Sequence, residues 1–339
     1  MRKLGAVGVD FAVLSGFFDL SWRKPVDGLT EADKGFVLNA AGFRLRALGR
    51  LAEATQPMQA ALEGEVAQKR WKRAAVATST ISELYLTIGD VTQALAYAKQ
   101  SVELADCSGD EFMQEATRTK LADALHQSGL LTESQAAFHE TEELQKKRQP
   151  EFPLLYSLQG YHYCDLLLSQ GNYAEVERRA NNDLKIFKQG ALSDILSLAL
   201  ARLSLGRALA NICEVPETSQ VSQAANYLNR SVDGLRQAWM QDMLPRGLLA
   251  RAEFYRVTGE LDKAKRDLDE AFSIATRGGM GLFLADCHLE YARLGLVETL
   301  HATSLREHIA IAKQMIEKMG YHRRDKEVEE LERQVSEIK

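Results

Sequence analysis

The stretch Leu248–Ala275, LLARAEFYRVTGELDKAKRDLDEAFSIA, decides the fold. Leu248, Ala252 and Tyr255 fall at i, i+4 and i+7; after Gly259, Leu261, Ala264, Leu268 and Ala271 keep the same 3/4 spacing. That is two amphipathic helices joined by a tight turn. Gly259 supplies the positive φ that commonly ends a helix. Ala252, Ala264 and Ala271 stand where the two helices must approach closely.

The same punctuation recurs along the chain. A turn glycine, a hydrophobic residue two places on and a small residue at plus five occur at Gly49 (Leu51, Ala54), Gly89 (Val91, Ala94), Gly129 (Leu131, Ser134) and Gly259 (Leu261, Ala264). Gly171 follows with Tyr173, although Val176 breaks the small-residue rule. The gaps are 40, 40, 42 and 88 residues, and 88 is twice 44, so one unit without a turn glycine is expected near residue 215. There LARLSLGRALA supplies a first helix and SQAANYLNRSVDGL a second, with Ala224 and Leu228 in place. A degenerate last unit covers about 280–318. Repetition at this period means stacked helical hairpins.

The pattern resembles the tetratricopeptide repeat (TPR) family over roughly residues 35–318. The small position 8 of each hairpin reads Gly42, Ser82, Ala122, Cys164, Gly206 and Ala252; the large position 24 reads Met58, Ala98, Phe138, Ala180, Leu228 and Leu268. The repeat is longer than the family's usual 34 residues and lacks its proline at position 32. The resemblance implies an all-α, right-handed superhelical solenoid of about seven hairpins with terminal capping helices. Residues 1–30 are expected to form an N-terminal capping helix and loop, 31–318 the array, and 319–339 a C-terminal capping helix.

Composition agrees. Six prolines in 339 residues, with no alternating β-branched runs, argue against sheet, and 45% hydrophobic content is ordinary for a folded protein. A net charge of −5 gives no electrostatic footprint for nucleic acid. Cys107, Cys164, Cys213 and Cys287 have no metal-ligand or disulfide spacing, which fits a reducing cytoplasm. MRKLGAVGVDFAVLSGFF imitates a signal peptide, but Asp10 interrupts it. Leu4, Val7, Phe11, Leu14 and Phe18 instead share a helical face. No stretch approaches the length of a membrane span. Pro150 is expected to end one helix and Pro153 to start the next. Val328, Leu331, Val335 and Ile338 mark a one-sided cap helix.

Signatures of catalysis are missing: no GxxxxGK[ST] loop, GxGxxG after a strand, HExxH or GxSxG. No cofactor is implied. His301 and His308 share a possible helix face but read as solvated rather than as metal ligands. GGMG at 278–281 reads as a helix stop, and YHRRD at 321–325 as the charge complement of a helix end.

A binding surface remains. In TPR arrays, positions 2, 5, 9 and 12 of the hairpin line the concave face. Position 9 here is Phe43, Glu83, Asp123, Asp165, Arg207, Glu253 and Glu290, an acidic stripe interrupted by Arg207. Tyr161 (position 5), His126 and Arg256 (position 12) and Arg246 (position 2) complete the candidate groove. The stripe predicts a protein or peptide partner rich in Lys or Arg. The alternative reading makes these acids inter-repeat ion pairs. The stripe is the reverse of the Lys/Asn clamp with which some TPR domains hold a carboxylate.

A second resemblance concerns biology. LPRGLLARAEFYRVTGELDKAKRDLDEAFSIATRGGMGLFLADCHLEYARL and GYHRRDKEVEEL look like the C-terminal TPR array of bacterial signalling NTPases of the STAND/NACHT class. So do DALHQSG, QPEFPLLYSLQGYHYCDLLL and LTEADKGFVLNAAGFRLRALGRLAEA. The resemblance implies a sensor or autoinhibitory arm without enzymatic activity of its own. The alternative is a stand-alone cytoplasmic adaptor or peptide receptor.

Overall fold

A computed structural model describes residues 12–188, 194–211, 218–298 and 302–337. Seven helical hairpins follow one another. They are α1 (Glu31–Ala47) with α2 (Leu51–Ala67), α3 (Trp71–Ile88) with α4 (Val91–Ser108), and α5 (Glu111–Gln127) with α6 (Leu131–Arg148). Next come α7 (Ser157–Ser169) with α8 (Tyr173–Lys188) and α9 (Ile195–Asn211) with α10 (Thr218–Gln237). The last two are α11 (Leu244–Val257) with α12 (Leu261–Gly278) and α13 (Gly281–Val297) with α14 (Ala302–Met319). A short 3₁₀ turn, His322–Arg324, leads into the final helix α15 (Asp325–Ser336). Among the described residues no helix is long and apolar enough to cross a membrane.

The repeat rhythm is physical. Gly49, Gly89, Gly129, Gly171 and Gly259 all have φ between 72° and 100° at the hairpin turns. Position 24 is fully buried in every hairpin named, from Met58 to Leu268. It packs on position 8: a Cβ at Gly42 would lie 2.3 Å from Met58 Cγ, and one at Gly206 would lie 2.8 Å from Leu228 Cγ. Where position 8 or 20 is serine, the hydroxyl finds a carbonyl across the hairpin, as in Ser82 to Ala94 (2.8 Å) and Ser134 to Ala122 (2.7 Å). Side-chain caps start several helices: Thr30 accepts from Asp33 N–H, and Asp110 from Met113 N–H.

Three expectations need correction or limits. Leu4, Val7 and Phe11 lie outside the described residues, as do Cys213, His301 and Ile338. Phe18 does not continue a helical face: Phe18–Leu20 pairs antiparallel with Lys24–Pro25 in a small hairpin, and Val13, Phe17 and Leu20 are exposed. The fourth hairpin starts at Ser157, not Pro153. Residues 149–156 are strapped to α6 by Gln145 Nε2 to Phe152 O (3.0 Å) and Leu155 N to Glu142 (3.2 Å). That strap holds the chain off the helical path.

The array closes on itself. The turn of the first hairpin rests on the connector between α10 and α11, where Gln241 N donates to Ala47 O at 3.0 Å. The turn of the second meets the start of α13: Gly89 and Gly281 touch so closely that a Cβ on Gly281 would lie 2.3 Å from Ile88 O. The turn of the third meets His322 and Arg323. Arg46 crosses this seam to Asp242 (2.7 Å), with both side chains buried.

One buried carboxyl works against the fold. Asp183 on α8 accepts a hydrogen bond from Ser157 N (3.2 Å), its Oδ1 has no partner, and burial pushes its pKa up to about 8. A raised folded-state pKa means that stability present below pH ~4 erodes until pH reaches about 8. Asp183→Asn, neutral throughout, is therefore expected to match the wild type near pH 4. By pH 8 it should be more stable by about 2–4 kcal/mol. Melting temperatures across that range test it; a difference independent of pH would refute the assignment.

Candidate functional site

The first helices of the hairpins turn their position-9 side chains to one concave side, and closure of the seam makes that side a cavity of about 490 Å³. Small-molecule sites span such volumes. Of the residues expected in the groove, Asp123, His126, Tyr161, Asp165, Arg207, Arg246, Glu253 and Glu290 line it. Glu83 and Arg256 do not. Glu83 is drawn to the seam, paired with Arg46 (2.8 Å) and Lys120, and Arg256 is turned onto Glu290 at 2.6 Å.

The sequence missed the opposite wall. Asp286 and Arg293 on α13, and Tyr321, Arg323, Arg324 and Glu327 at the C-terminal turn, also line the cavity. The YHRRD cluster is thus not a helix-end charge complement. Arg323 spans the seam to Asp165 at 2.5 Å, and Arg324 pairs with Asp286 at 2.9 Å and Glu327 at 2.5 Å.

Pairing dominates the electrostatics. Asp165 is held by Arg323 and, at 2.7 Å, by Arg207. Burial pushes its carboxyl up, but those two guanidiniums together hold it well below the usual carboxylate range. Asp123 receives Gln127 Nε2 at 2.8 Å and lies 3.1 Å from His162 Nδ1. Glu290 sits between Arg256 and Arg293 (3.3 Å). The stripe exists in position but not as free negative charge. Around the cavity Asp123, Asp165, Glu253, Asp286, Glu290 and Glu327 are matched by Arg207, Arg246, Arg293, Arg323, Arg324 and Lys326.

Besides Asp123, whose neighbours are Gln127 and the His162 ring, three charged groups of the lining have no ion-pair partner of their own among the described residues. Glu253 and Lys326 are exposed. Arg246 lies over the rings of Tyr161 (5.7 Å) and Phe283 (5.3 Å), a cation–π arrangement. Its Nε is buried without a hydrogen-bond partner.

One constellation has the residue types of a nucleophilic relay. His126 Nε2 lies 3.1 Å from Ser169 Oγ, and His126 Nδ1 lies 3.8 Å from Asp165. The geometry does not serve that chemistry. Ser169 donates its proton to Leu166 O at 2.6 Å, and Asp165 is already committed to two arginines. Burial, aided by Arg323, holds His126 at about 3 and hence neutral. With Nε2–H donating to Ser169, the hydroxyl is an acceptor rather than an activated nucleophile.

No protein-family model matches the chain, and no curated protein matches it. Solved structures do. The crystal structure of a Rap protein complexed with competence and sporulation factor superposes with a TM-score of 0.55 at 12% identity, covering 90% of this chain and 97% of that one. A STAND protein with a tetratricopeptide repeat sensor from Pyrococcus horikoshii gives a TM-score of 0.44 at 16% identity, over 84% of this chain and 42% of that one. The chain is a TPR-like helical solenoid.

Proposed function

We propose that this chain is a non-catalytic protein- or peptide-binding scaffold whose ligand occupies the cavity inside the closed array. One observation carries the reading: the cavity walls are charged, yet their charges are spent on one another except at Arg246, Glu253 and Lys326. A wall built only for stability needs no such cavity and no stacked, unpaired guanidinium facing it. A Lys or Arg of the ligand then meets Glu253, the exposed member of the acidic stripe without a partner in the fold.

Selection from a random pool of free synthetic peptides captured on the full chain and identified by mass spectrometry tests this. Enriched peptides are expected to lose at least tenfold in affinity on Ala250→Trp, which fills the cavity from α11, and on Glu253→Lys. Charge reversal at Asp165 is the wrong probe, because it would strand two arginines. Circular dichroism must show both variants folded. No enrichment, or enrichment indifferent to both variants, would remove the cavity as the binding site.

For the biological setting, the resemblance of the C-terminal stretches supports the ligand-sensing arm of a bacterial signalling NTPase, working in the cytoplasm. A stand-alone adaptor or peptide receptor is favoured by the seam, because the turns of the first three hairpins are already covered by the chain's own later connectors. The Rap protein of the same fold is complexed with competence and sporulation factor. The mass of the native polypeptide in its source cell separates the two: far above 37.8 kDa for an arm, near it for an adaptor.

A further inference from the structure

Arg246 and Glu253 stand on one helix, seven residues apart, and both line the cavity. Seven residues are two turns, about 10.5 Å along the axis, and place both side chains on one face. The other charged side chains of the lining are in ion pairs within the fold, apart from the exposed Lys326 and from Asp123, which accepts from Gln127 and lies 3.1 Å from His162 Nδ1. So α11 offers a ligand one free cation and one free anion at a fixed spacing. Asp123 and Asp165 are the acids whose field reaches Arg246, and neither forms an ion pair with it. The guanidinium lies over the rings of Tyr161 and Phe283, with the Tyr161 hydroxyl beside it and its Nε buried without a hydrogen-bond partner, so donor capacity is left for a planar oxyanion.

We propose that the cavity reads a short free peptide by both of its ends, the terminal carboxylate at Arg246 and the terminal ammonium at Glu253. An extended chain advances about 3.3–3.6 Å per residue, so three residues match the spacing of the two charges. Two charges of opposite sign on one helix also fix direction: the peptide lies antiparallel to α11, its carboxyl end toward the helix N-terminus. That polarity is electrostatically favourable, because the helix N-terminus carries positive dipole charge. Longer peptides enter only if an internal acid and base reproduce the spacing. This inference rests on the binding function proposed above.

The test uses the full chain and a pool of unmodified tripeptides, with N-acetylated and C-amidated copies of the same pool. Native mass spectrometry ranks the bound species, and calorimetry on the strongest gives its affinity. C-amidation is expected to weaken binding at least tenfold in the wild type and to have little further effect in Arg246→Ala. N-acetylation should do the same with respect to Glu253→Gln. Arg246→Lys, which keeps a point charge, should recover part of the affinity. Blocked copies that bind the wild type as tightly as free ones overturn the inference. So does a loss on amidation that persists undiminished in Arg246→Ala. If no tripeptide binds in any form while peptides selected from the random pool still depend on Ala250, end-reading is wrong and the scaffold reading stands. If neither class binds, both fall.

Discussion

Arg46→Ala is expected to cost about 3–5 kcal/mol of folding stability, read as a lowered urea midpoint. The side chain is 3% exposed and joins Asp242 at 2.7 Å to Glu83 at 2.8 Å. Burial alone would weaken its charge, but Glu83 and Asp242 more than offset that and hold it protonated. Removing it leaves Asp242, whose carboxylate is fully buried and whose Oδ1 already has no hydrogen bond, without a cation. Glu83 suffers less because Lys120 remains beside it. Glu83→Ala should therefore cost clearly less than Arg46→Ala. The double replacement Arg46→Met, Asp242→Leu should recover most of the loss, since an apolar pair of similar volume escapes the desolvation penalty. Because the pair ties residues 196 positions apart, Arg46→Ala should also open the seam. Small-angle scattering would then show a larger radius of gyration, and the Gln241 amide would exchange faster. A loss under about 1 kcal/mol with an unchanged Gln241 amide would mean that the pair does not hold the seam.

The hairpins were legible in the sequence because their determinants are local. Gly42 and Gly206 can be placed by counting, and the contacts with Met58 and Leu228 follow from hairpin geometry. The facing of position 9 was legible for the same reason. What those side chains meet was not. The second arginine of Asp165 comes from 158 residues away, and Arg46 finds Asp242 from 196 away. Closure sums small rotations between neighbouring repeats, and no single junction has a motif for it. Arg46 does carry a clue: it occupies position 12 of the first hairpin, the position that gave His126 and Arg256. At the N-terminus, the turn of the Phe18–Pro25 hairpin uses Trp22 at φ 63°, where turns usually use Gly or Asn. Nothing in SWRK announces it.

Asp165→Ala is the second large effect, again about 3–5 kcal/mol, and it should reach the far end of the chain. Asp165 binds both a neighbour in the array, Arg207, and the C-terminal turn, through Arg323. Its loss leaves Arg323, only 8% exposed in its side chain, with Gln127 Oε1 at 3.1 Å as its remaining hydrogen-bond partner. Arg207 is 23% exposed and can turn toward water, so most of the cost falls on Arg323. Arg323→Ala removes the buried cation along with its contact and leaves Asp165 paired to Arg207, so it should cost less than Asp165→Ala. Arg207→Ala should cost least. Once Arg323 is detached, α15 keeps the burial of Val328, Leu331 and Val335 and the pairs Arg293–Glu327, Lys313–Glu332 and Arg324–Asp286, but it loses its tie to α7, so amide exchange in Asp325–Ser336 should accelerate in Asp165→Ala. The depressed pKa of Asp165 fixes the pH window. Its stabilisation is present above the unfolded value near 4 and is lost as pH falls below it, so wild type and variant should converge in acid. Unchanged exchange in α15, or a stability difference that persists into acid, would show that Asp165 does not couple the groove to the C-terminal cap.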